Sequence, residues 1–211
     1  MTRLVLLADT HGFHRGLAVP DGDVLVHAGD LTCTGALDEL EDANRWLAGL
    51  PHRHKLAIAG NHDFCLQNQP RQARATLTAA RYLEDEEVTV AGLRFWGSPW
   101  QPRFHDWAFN LPRGAPLSRH WARVPEGLDV LLTHTPPARV LDSVDGRSVG
   151  CQDLLDRVRE VRPRLAVFGH IHEARGALWQ DGVLFVNAAT GEGRHPAMVL
   201  DWPPREPELP R

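Results

Sequence analysis

The sequence predicts a layered α/β domain built on mixed β-sheets, and two kinds of apolar segment support this fold class. Several short runs rich in valine, leucine, isoleucine and alanine are apolar throughout, which is typical of strands covered on both faces. Other runs alternate apolar with polar residues and are joined by short turns such as Gln180-Asp181-Gly182, as in antiparallel hairpins. Helical patterns lie between these runs, so the strands and helices are expected to share one layered domain.

The predicted strands fall into two groups. The continuous apolar runs, expected to be buried strands, are residues 3–8, 24–28, 55–59, 129–133 and 165–168. The more alternating runs, expected to be further strands, are residues 88–90, 93–97, 177–179, 183–187 and 197–201.

Helices are predicted at residues 37–50, 72–81, 117–124 and 150–161. The first places Leu37, Leu40, Ala43 and Leu47 on one face, and Gly49 and Pro51 bracket its end. A chain of 211 residues fits one domain, which we expect to cover residues 1–201. Residues 202–211 are too rich in proline and charge to pack and are predicted to form a Pro-rich C-terminal tail.

Composition and charge narrow the class of protein. Apolar residues make up 43% and charged residues 24% of the chain, which is ordinary for a soluble globular protein. The longest apolar runs are far shorter than the roughly 20 residues needed to span a bilayer, so no membrane association is expected. The net charge of -4 gives no global attraction to nucleic acid. Cys33, Cys65 and Cys151 form no C-x-x-C pair, which favours a reducing, cytoplasmic location.

Polar side chains that can bind metal follow each of the five continuous runs directly. In chain order these residues are Asp9-Thr10-His11, Gly29-Asp30, Gly60-Asn61-His62-Asp63, His134 and Gly169-His170-Ile171-His172. Taken alone, an Asp-x-His sequence is typical of a solvated turn, and Gly-Asp indicates almost nothing. Open α/β sheets, however, bind ligands just outside the carboxyl ends of their strands. Five such coincidences in one chain therefore predict a single shared site.

The residue types at these strand ends favour divalent cations. Carboxylate oxygens and imidazole nitrogens suit Mn, Fe, Zn or Co better than the metals that prefer thiolates. In Asp9-x-His11 and His170-x-His172 the two extended residues point the same way, so both side chains can reach one place. The glycines before Asp30, Asn61 and His170 allow tight turns and a close approach of the backbone.

This ordered set of motifs resembles that of the calcineurin-like metallophosphoesterases, and the resemblance covers residues 3 to about 200. Within that superfamily the chain is similar to the metallophosphoesterase-domain-containing branch. The stretches that carry this second likeness include Gly97-Ser98-Pro99-Trp100 and Phe168-Gly169-His170-Ile171-His172-Glu173. The resemblance implies a four-layer αββα sandwich with two mixed β-sheets, which agrees with the predicted strands.

The resemblance also implies a role for each motif residue. The first metal would be held by Asp9, His11, Asp30 and His172. The second would be held by Asp30, Asn61, His134 and His170, so that Asp30 bridges the two. His62 would stabilise or protonate the leaving oxygen, and Asp63 would orient it. The implied cofactors are two divalent cations, Mn²⁺ first and Fe, Zn, Ni or Co as alternatives.

Aromatic residues crowd residues 93–114, a stretch long enough to form a lid or a binding loop. Stacking of a nucleobase on one of these rings is one interpretation, and Trp100 and Phe104 are the candidates at the rim. Packing of the rings as a cluster that holds the loop is the alternative. His105, in the same stretch, is a candidate contact for substrate phosphate.

The remaining histidines are expected to have no part in the site. His27 lies inside a predicted strand and is expected in the core or next to the metal ligands. Five others lie in polar surroundings and are expected to be solvated: His14, His52, His54, His120 and His195.

The leading functional hypothesis is a phosphodiesterase that hydrolyses cyclic nucleotides or similar small diesters with metal-activated water. A nuclease acting on DNA or RNA is an alternative, although extended nucleic acid is not the favoured partner of a chain with no basic groove. A phosphomonoesterase is a further alternative. A binding or scaffold protein without catalysis is less favoured, because unused ligands would repel one another. The sequence leaves the oligomeric state open, a dimer included.

Overall fold

The computed structural model describes residues 1–205 as strands and helices in alternation. The strands are β1 (Thr2–Leu7), β2 (Val24–Ala28), β3 (His54–Ile58), β4 (Arg81–Tyr82), β5 (Glu86–Val90), β6 (Leu93–Ser98), β7 (Gln101–Pro102), β8 (Asn110–Leu111), β9 (Val130–Thr133), β10 (Ser143–Val144), β11 (Arg147–Ser148), β12 (Leu165–Phe168), β13 (Gly176–Gln180), β14 (Val183–Asn187) and β15 (Met198–Trp202). The α-helices are α1 (Leu37–Ala48), α2 (Phe64–Asn68), α3 (Pro70–Thr76), α4 (Ala115–Trp121) and α5 (Gln152–Val161). A 3₁₀ turn covers His172–Ala174.

Two mixed sheets form the centre of the molecule, as predicted. The first sheet has the order β15-β1-β2-β3-β4, with β1 to β4 parallel and β15 antiparallel at the edge. The second sheet has the order β13-β14-β12-β9-β6-β5, with four parallel central strands and an antiparallel strand at each edge. Since Leu7, His27 and Ala57 lie opposite one another, β1, β2 and β3 end level with each other.

The sheets stack face to face and each is covered by helices on its outer face, which confirms the four-layer αββα order. Side chains of β1 show the arrangement. Leu4 and Leu6 enter the core between the sheets, whereas Val5 and Leu7 pack on the side of α1 and α3. Behind the second sheet, Trp121 of α4 packs with apolar residues of α5. Central strands are therefore buried on both faces, which is why their sequences are apolar throughout.

One predicted helix extends too far along the chain. The pattern at residues 72–81 predicted a helix, but α3 covers Pro70–Thr76, and Arg81 already belongs to β4. The strand β4 pairs in parallel with β3 at the edge of the first sheet, and the side chain of Tyr82 is buried. Tertiary pairing thus overrides a local pattern that is compatible with a helix. The short helix α2, directly after Asp63, was also missed.

The predicted tail begins one residue too early. Trp202 is the last residue of β15, is 8% exposed, and packs in the core between the sheets. The guanidinium of Arg164 lies 5.2 Å from the centre of its ring, at the distance of a cation–π contact. Residues 206–211 of the predicted tail lie outside the described residues. Every helix within residues 1–205 is too short or too polar to cross a membrane.

Two of the histidines expected to be solvated are buried. His14 and His52 are 1% and 3% exposed, and His120 pairs with Asp85 at 3.0 Å. Packing against neighbours far along the chain, such as the ring of Trp46 at 4.9 Å from His14, is not visible in the local sequence. His27 lies in the core as expected, with its Nε2 atom 3.0 Å from the hydroxyl of Thr10.

Candidate metal centre

The two sheets bring the ends of their parallel strands to a common edge, where the predicted ligands lie. β1, β2 and β3 of the first sheet lead into Asp9, Asp30 and Asn61, and β9 and β12 of the second lead into His134 and His170. The sheets are joined just there. Ala8 forms a parallel bridge with Ala189, donating to the Ala188 carbonyl at 3.0 Å and accepting from Thr190 at 2.8 Å.

The backbone is strained at four of the seven predicted ligands. The φ angles are 55° at Asp9, 45° at His11, 58° at Asp30 and 70° at His170, all in the left-handed region that non-glycine residues seldom adopt. Strain of this kind persists only where the surrounding structure enforces it, and it concentrates at functional sites. These four residues all lie at the common edge of the two sheets, so the strained backbone coincides with the site.

The glycines of the motifs are needed because the ligands pass directly over them. A β-carbon at Gly29, where φ is 97°, would lie 2.5 Å from the Nδ1 atom of His134. A β-carbon at Gly60 would collide with the carboxylate of Asp30, and one at Gly169 with the carboxylate of Asp9. The sequence analysis predicted this close approach, and the distances show which side chains require it.

The first group of ligands lies around Asp9. Its Oδ1 atom is 3.5 Å from Nε2 of His172, and that nitrogen is 3.4 Å from Nε2 of His11. The Nε2 atom of His11 is in turn 3.6 Å from Oδ2 of Asp30. The backbone amide of His170 donates to the carboxylate of Asp9 at 3.0 Å, which fixes this carboxylate from the second sheet.

The second group lies on the other side of Asp30. The Oδ2 atom of Asp30 is 3.4 Å from Nε2 of His134, and Oδ1 of Asn61 is 2.8 Å from the same nitrogen. The Nδ1 atom of His134 lies 2.9 Å from the carbonyl of Ala28, which orients the ring. The ring of His170 is 5.0 Å from that of His134. Asp30 is thus the residue that the two groups share.

The geometry fits divalent cations. Atoms that surround one cation at about 2.1 Å lie about 3–3.5 Å from one another, which is close to the separations found here. Two such groups, Asp9 with His11 and His172, and Asp9 with Asp30 and His134, offer ligand atoms within 4.8 Å of one another. Within residues 1–205 the buried Nδ2 atom of Asn61 has no hydrogen-bond partner, consistent with a side chain placed for its oxygen. Which residue binds which cation stays a prediction.

The ligands of the metal-free site differ in their protonation. Burial lowers the pKa of His134, but the Asp30 carboxylate outweighs this effect and raises it to about 9. Burial raises the pKa of Asp30, yet the neighbouring imidazoles outweigh it and hold that pKa below its ordinary range. Burial, followed by the charge of His134, lowers the pKa of His170 to about 4. The metal-free site therefore contains the Asp30 carboxylate and the neutral imidazole of His170, the forms that coordinate a cation, whereas His134 must lose its proton before it can do so.

His62 stands beside this centre. Its ring lies edge-on to that of His11, with centroids 4.5 Å apart, and its backbone amide donates to Oδ1 of Asp30 at 2.8 Å. One of its nitrogens lies within 4.8 Å of ligand atoms of His11 and Asp30. Its Nδ1 atom is 2.6 Å from the carbonyl of Cys33, which leaves Nε2 as the nitrogen available to substrate.

Asp63 does not orient His62, so that expectation was wrong. Both of its carboxylate oxygens face backbone amides of the two loops that follow β2 and β3. Oδ2 accepts from Asp30 at 3.0 Å, Leu31 at 3.3 Å and Gly60 at 2.8 Å, and Oδ1 accepts from the amide of Thr32 at 2.9 Å and its hydroxyl at 2.7 Å. Asp63 is buried and holds these two loops together by hydrogen bonds. The ring of His62 is oriented instead by the carbonyl of Cys33.

The aromatic residue next to the centre is Trp107, which the sequence analysis did not select. Its ring centroid lies 4.6 Å from that of His62. Trp100, a predicted rim residue, packs against Phe109 at 5.6 Å and His120 at 5.7 Å, as the packing alternative predicted. Phe104 is 55% exposed and lies 6.0 Å from the ring of Trp107. His105 is exposed and contacts Phe104 at 4.2 Å. Only the fold shows which ring meets His62.

Comparison with known proteins identifies the family. The sequence pattern of the calcineurin-like phosphoesterases matches residues 2–174. The chain belongs to this family. It is therefore a hydrolase of phosphoric esters that depends on divalent metal. It is also 40% identical to human metallophosphoesterase domain-containing protein 1 over 96% of this chain and 71% of that protein.

Solved structures share the fold of this phosphoesterase. The protein TT1561 of Thermus thermophilus superposes with a TM-score of 0.61 at 15% identity, covering 88% of each chain. A protein described as a novel archaeal phosphodiesterase superposes with a TM-score of 0.51 at 14% identity, over 95% of this chain and 93% of that one. At such low identity these likenesses show the fold alone.

Proposed function

We propose that this metal-dependent phosphoesterase hydrolyses small phosphodiesters, cyclic nucleotides or molecules like them, with two divalent cations. The observation that carries the proposal is the position of Asp30. Its carboxylate lies 3.6 Å from His11 on one side and 3.4 Å from His134 on the other, so it can bridge two cations. Mn²⁺ is the first candidate metal because the ligands are oxygens and imidazole nitrogens.

The ligand atoms divide naturally into two sets. Asp9, His11 and His172 would hold one cation, and Asn61, His134 and His170 the other, with Asp30 common to both. When bound, two such cations acidify a water molecule and neutralise the charge of the phosphate oxygens. Asp63 contributes by tying the loops of Asp30 and Asn61 together, so that the ligands of both cations stay in register.

His62 supports hydrolysis of alkyl phosphate esters because it can serve a leaving alcohol. As an imidazolium it would donate Nδ1–H to the Cys33 carbonyl and keep Nε2–H for the leaving oxygen. An alkoxide leaves poorly without a proton, so an acid at this place matters most for alkyl phosphodiesters. The edge-on contact with His11 holds the ring beside the predicted metal centre without making it one of the predicted ligands.

The test is hydrolysis of bis-p-nitrophenyl phosphate compared with p-nitrophenyl phosphate after the metal has been removed and Mn²⁺, Zn²⁺, Ni²⁺ or Mg²⁺ added back. The proposal predicts that one transition metal restores strong diester hydrolysis with a stoichiometry of two. Preference for the monoester would contradict the diester assignment and leave the metal-dependent chemistry in place. A steep loss of activity on oligonucleotides with rising salt would favour a nuclease, because each phosphate contact releases counterions.

A further inference from the structure

The space beyond His62 is a cavity whose lining has no part in metal binding. It has a volume of about 380 Å³ and is lined by Trp107 together with Phe64, Gln67, Asn68 and Arg103. Pockets for small ligands begin at about 300 Å³. Because Trp107 both lines this cavity and lies 4.6 Å from the ring of His62, the cavity begins one ring away from the metal centre.

The chemistry of the lining suits a planar, uncharged, polar ring. Trp107 offers an aromatic surface, and the exposed carboxamides of Gln67 and Asn68 carry both donors and acceptors. Toward the rest of residues 1–205 Gln67 uses only its Oε1 atom, which accepts from the amide of Phe109 at 2.9 Å, so its NH₂ group is available to a ligand. The charges at the rim cancel, since Arg103 pairs with Asp106 at 2.8 Å. Such a lining recognises a heterocycle better than a second phosphate.

The side of the metal centre formed by His11, Phe13 and Cys33 is unsuitable for the organic part of a phosphate ester. There a second cavity of about 380 Å³ lies next to His11 and Phe13 and is lined by three acidic residues, Asp38, Glu39 and Asp42. Glu39 is committed to the backbone amides before α1, at 2.9–3.2 Å. Carboxylates repel an anionic ester, so the substrate is expected to extend toward Trp107.

We propose that Trp107, with Asn68 and Gln67, forms a subsite for the nucleobase of a nucleotide substrate. The inference rests on the proposed function in one respect. If His62 serves the leaving oxygen, the alcohol that leaves must lie on the His62 side, which is the side of Trp107. In a cyclic nucleotide this alcohol carries the ribose and the base. One base then stacks on the indole while the carboxamides meet its polar edge.

The test is a pair of ligands that differ only in the base, adenosine 5′-monophosphate and ribose 5-phosphate, titrated calorimetrically into the Mn²⁺-loaded protein. The subsite predicts that adenosine 5′-monophosphate binds about tenfold more tightly, the lower part of the range that stacking of one base provides. Trp107→Ala is expected to remove this difference and leave the affinity for ribose 5-phosphate unchanged. Trp107→Phe should keep part of it, and Asn68→Ala should reduce it severalfold.

Phe13→Ala is the matched control, because Phe13 is another exposed aromatic residue, 58% exposed, on the acidic side of the centre. It is expected to change neither affinity. Equal affinities of the wild type for the two ligands would overturn the inference, and so would a loss of base discrimination in Phe13→Ala. A Trp107→Ala protein that binds both ligands equally less well would show that the indole merely supports His62.

Failure of this inference can be distinguished from failure of the proposed function. Hydrolysis of bis-p-nitrophenyl phosphate by the wild type tests the proposed function without a nucleobase. Diester turnover without base discrimination would refute the subsite alone. Base discrimination that depends on Trp107, in a protein with no diester turnover, would support the subsite and refute the proposed reaction.

Discussion

Asp63 provides a sharp test of how the metal loops are held together. The variant Asp63→Asn keeps one carbonyl oxygen and replaces the other with an NH₂ group, which cannot accept hydrogen bonds. If the new amide keeps its oxygen toward Asp30, Leu31 and Gly60, the backbone amide of Thr32 loses its acceptor, and the Thr32 hydroxyl is left with the carbonyl of His62 at 3.2 Å. The opposite orientation leaves three backbone amides without one. The new NH₂ group also faces N–H groups and finds no acceptor among them, so at least two buried donors are unsatisfied in either case.

Each buried donor left without a partner costs about 1–3 kcal/mol, so Asp63→Asn should lower the free energy of unfolding by about 2–5 kcal/mol. For a chain of this size that corresponds to a fall of about 10 °C in the melting temperature. The matched control is Thr32→Val, which removes the hydroxyl that donates to Asp63 at 2.7 Å and leaves the backbone amide bonded. Its cost should be about 1–2 kcal/mol.

The assay is urea unfolding of the metal-stripped protein, followed by tryptophan fluorescence, combined with metal content and hydrolysis of two diesters. The diesters are bis-p-nitrophenyl phosphate and a cyclic nucleotide, whose leaving groups differ in their need for a proton. Asp63→Asn should lose stability and metal affinity and slow both diesters equally. A variant of unchanged stability that is slow only on the cyclic nucleotide would refute this reasoning, and would mean that Asp63 acts through His62 after all.

Three further predictions concern the ligands and the buried histidines. Asp30→Ala should bind fewer than two metals per chain and lose diester hydrolysis; two retained metals, measured by elemental analysis, would contradict the bridging role. His62→Ala should keep both metals and lose a factor of about 10²–10⁴ on alkyl diesters, but much less on nitrophenyl esters, and an equal loss on both would indicate that His62 only positions phosphate. Burial lowers the pKa of His27 to about 3 in the folded chain, whereas an unfolded histidine has a pKa of about 6.5. Between about pH 3 and pH 6.5, His27 therefore binds a proton in the unfolded chain but not in the folded chain. Stability should therefore fall as the pH falls through this window, by up to about 1.4 kcal/mol per pH unit from this group, and urea titrations of His27→Gln should show a shallower dependence.

The continuous strands and the motifs after them could be predicted from the sequence because the physics there is local. A strand buried on both faces must be apolar throughout, and a polar residue directly after it must lie at the edge of the sheet. The structure gives β1, β2, β3, β9 and β12 within a residue of the predicted bounds. The resemblance supplied the grouping of the ligands, which the chain spacing alone does not determine.

What could not be predicted depends on contacts between distant parts of the chain. The helix predicted at residues 72–81 ends at Thr76, and Arg81 and Tyr82 instead form β4, which pairs with β3 at the edge of the first sheet. Asp63 follows His62 in the chain, which suggested that it orients that ring, yet its carboxylate accepts hydrogen bonds from the amides of residues 30–32 and of Gly60. Trp107 and Trp100 look equivalent in the sequence, and only the path of residues 99–110 brings one against His62 and the other against Phe109.

The metal centre also lies where the two sheets are hydrogen-bonded to each other, and this explains why its backbone tolerates strain. The amide of His170, from the second sheet, donates to the Asp9 carboxylate of the first, and His134 reaches across to the carbonyl of Ala28. These bonds do not require a cation, so the ligands are held in place before metal binds. The repulsion of the buried Asp9 and Asp30 carboxylates is offset in the metal-free protein by the imidazoles beside them, among them His134, whose raised pKa keeps it protonated at neutral pH. Metal binding then has to displace that proton, so the affinity of the site for metal should fall as the pH falls.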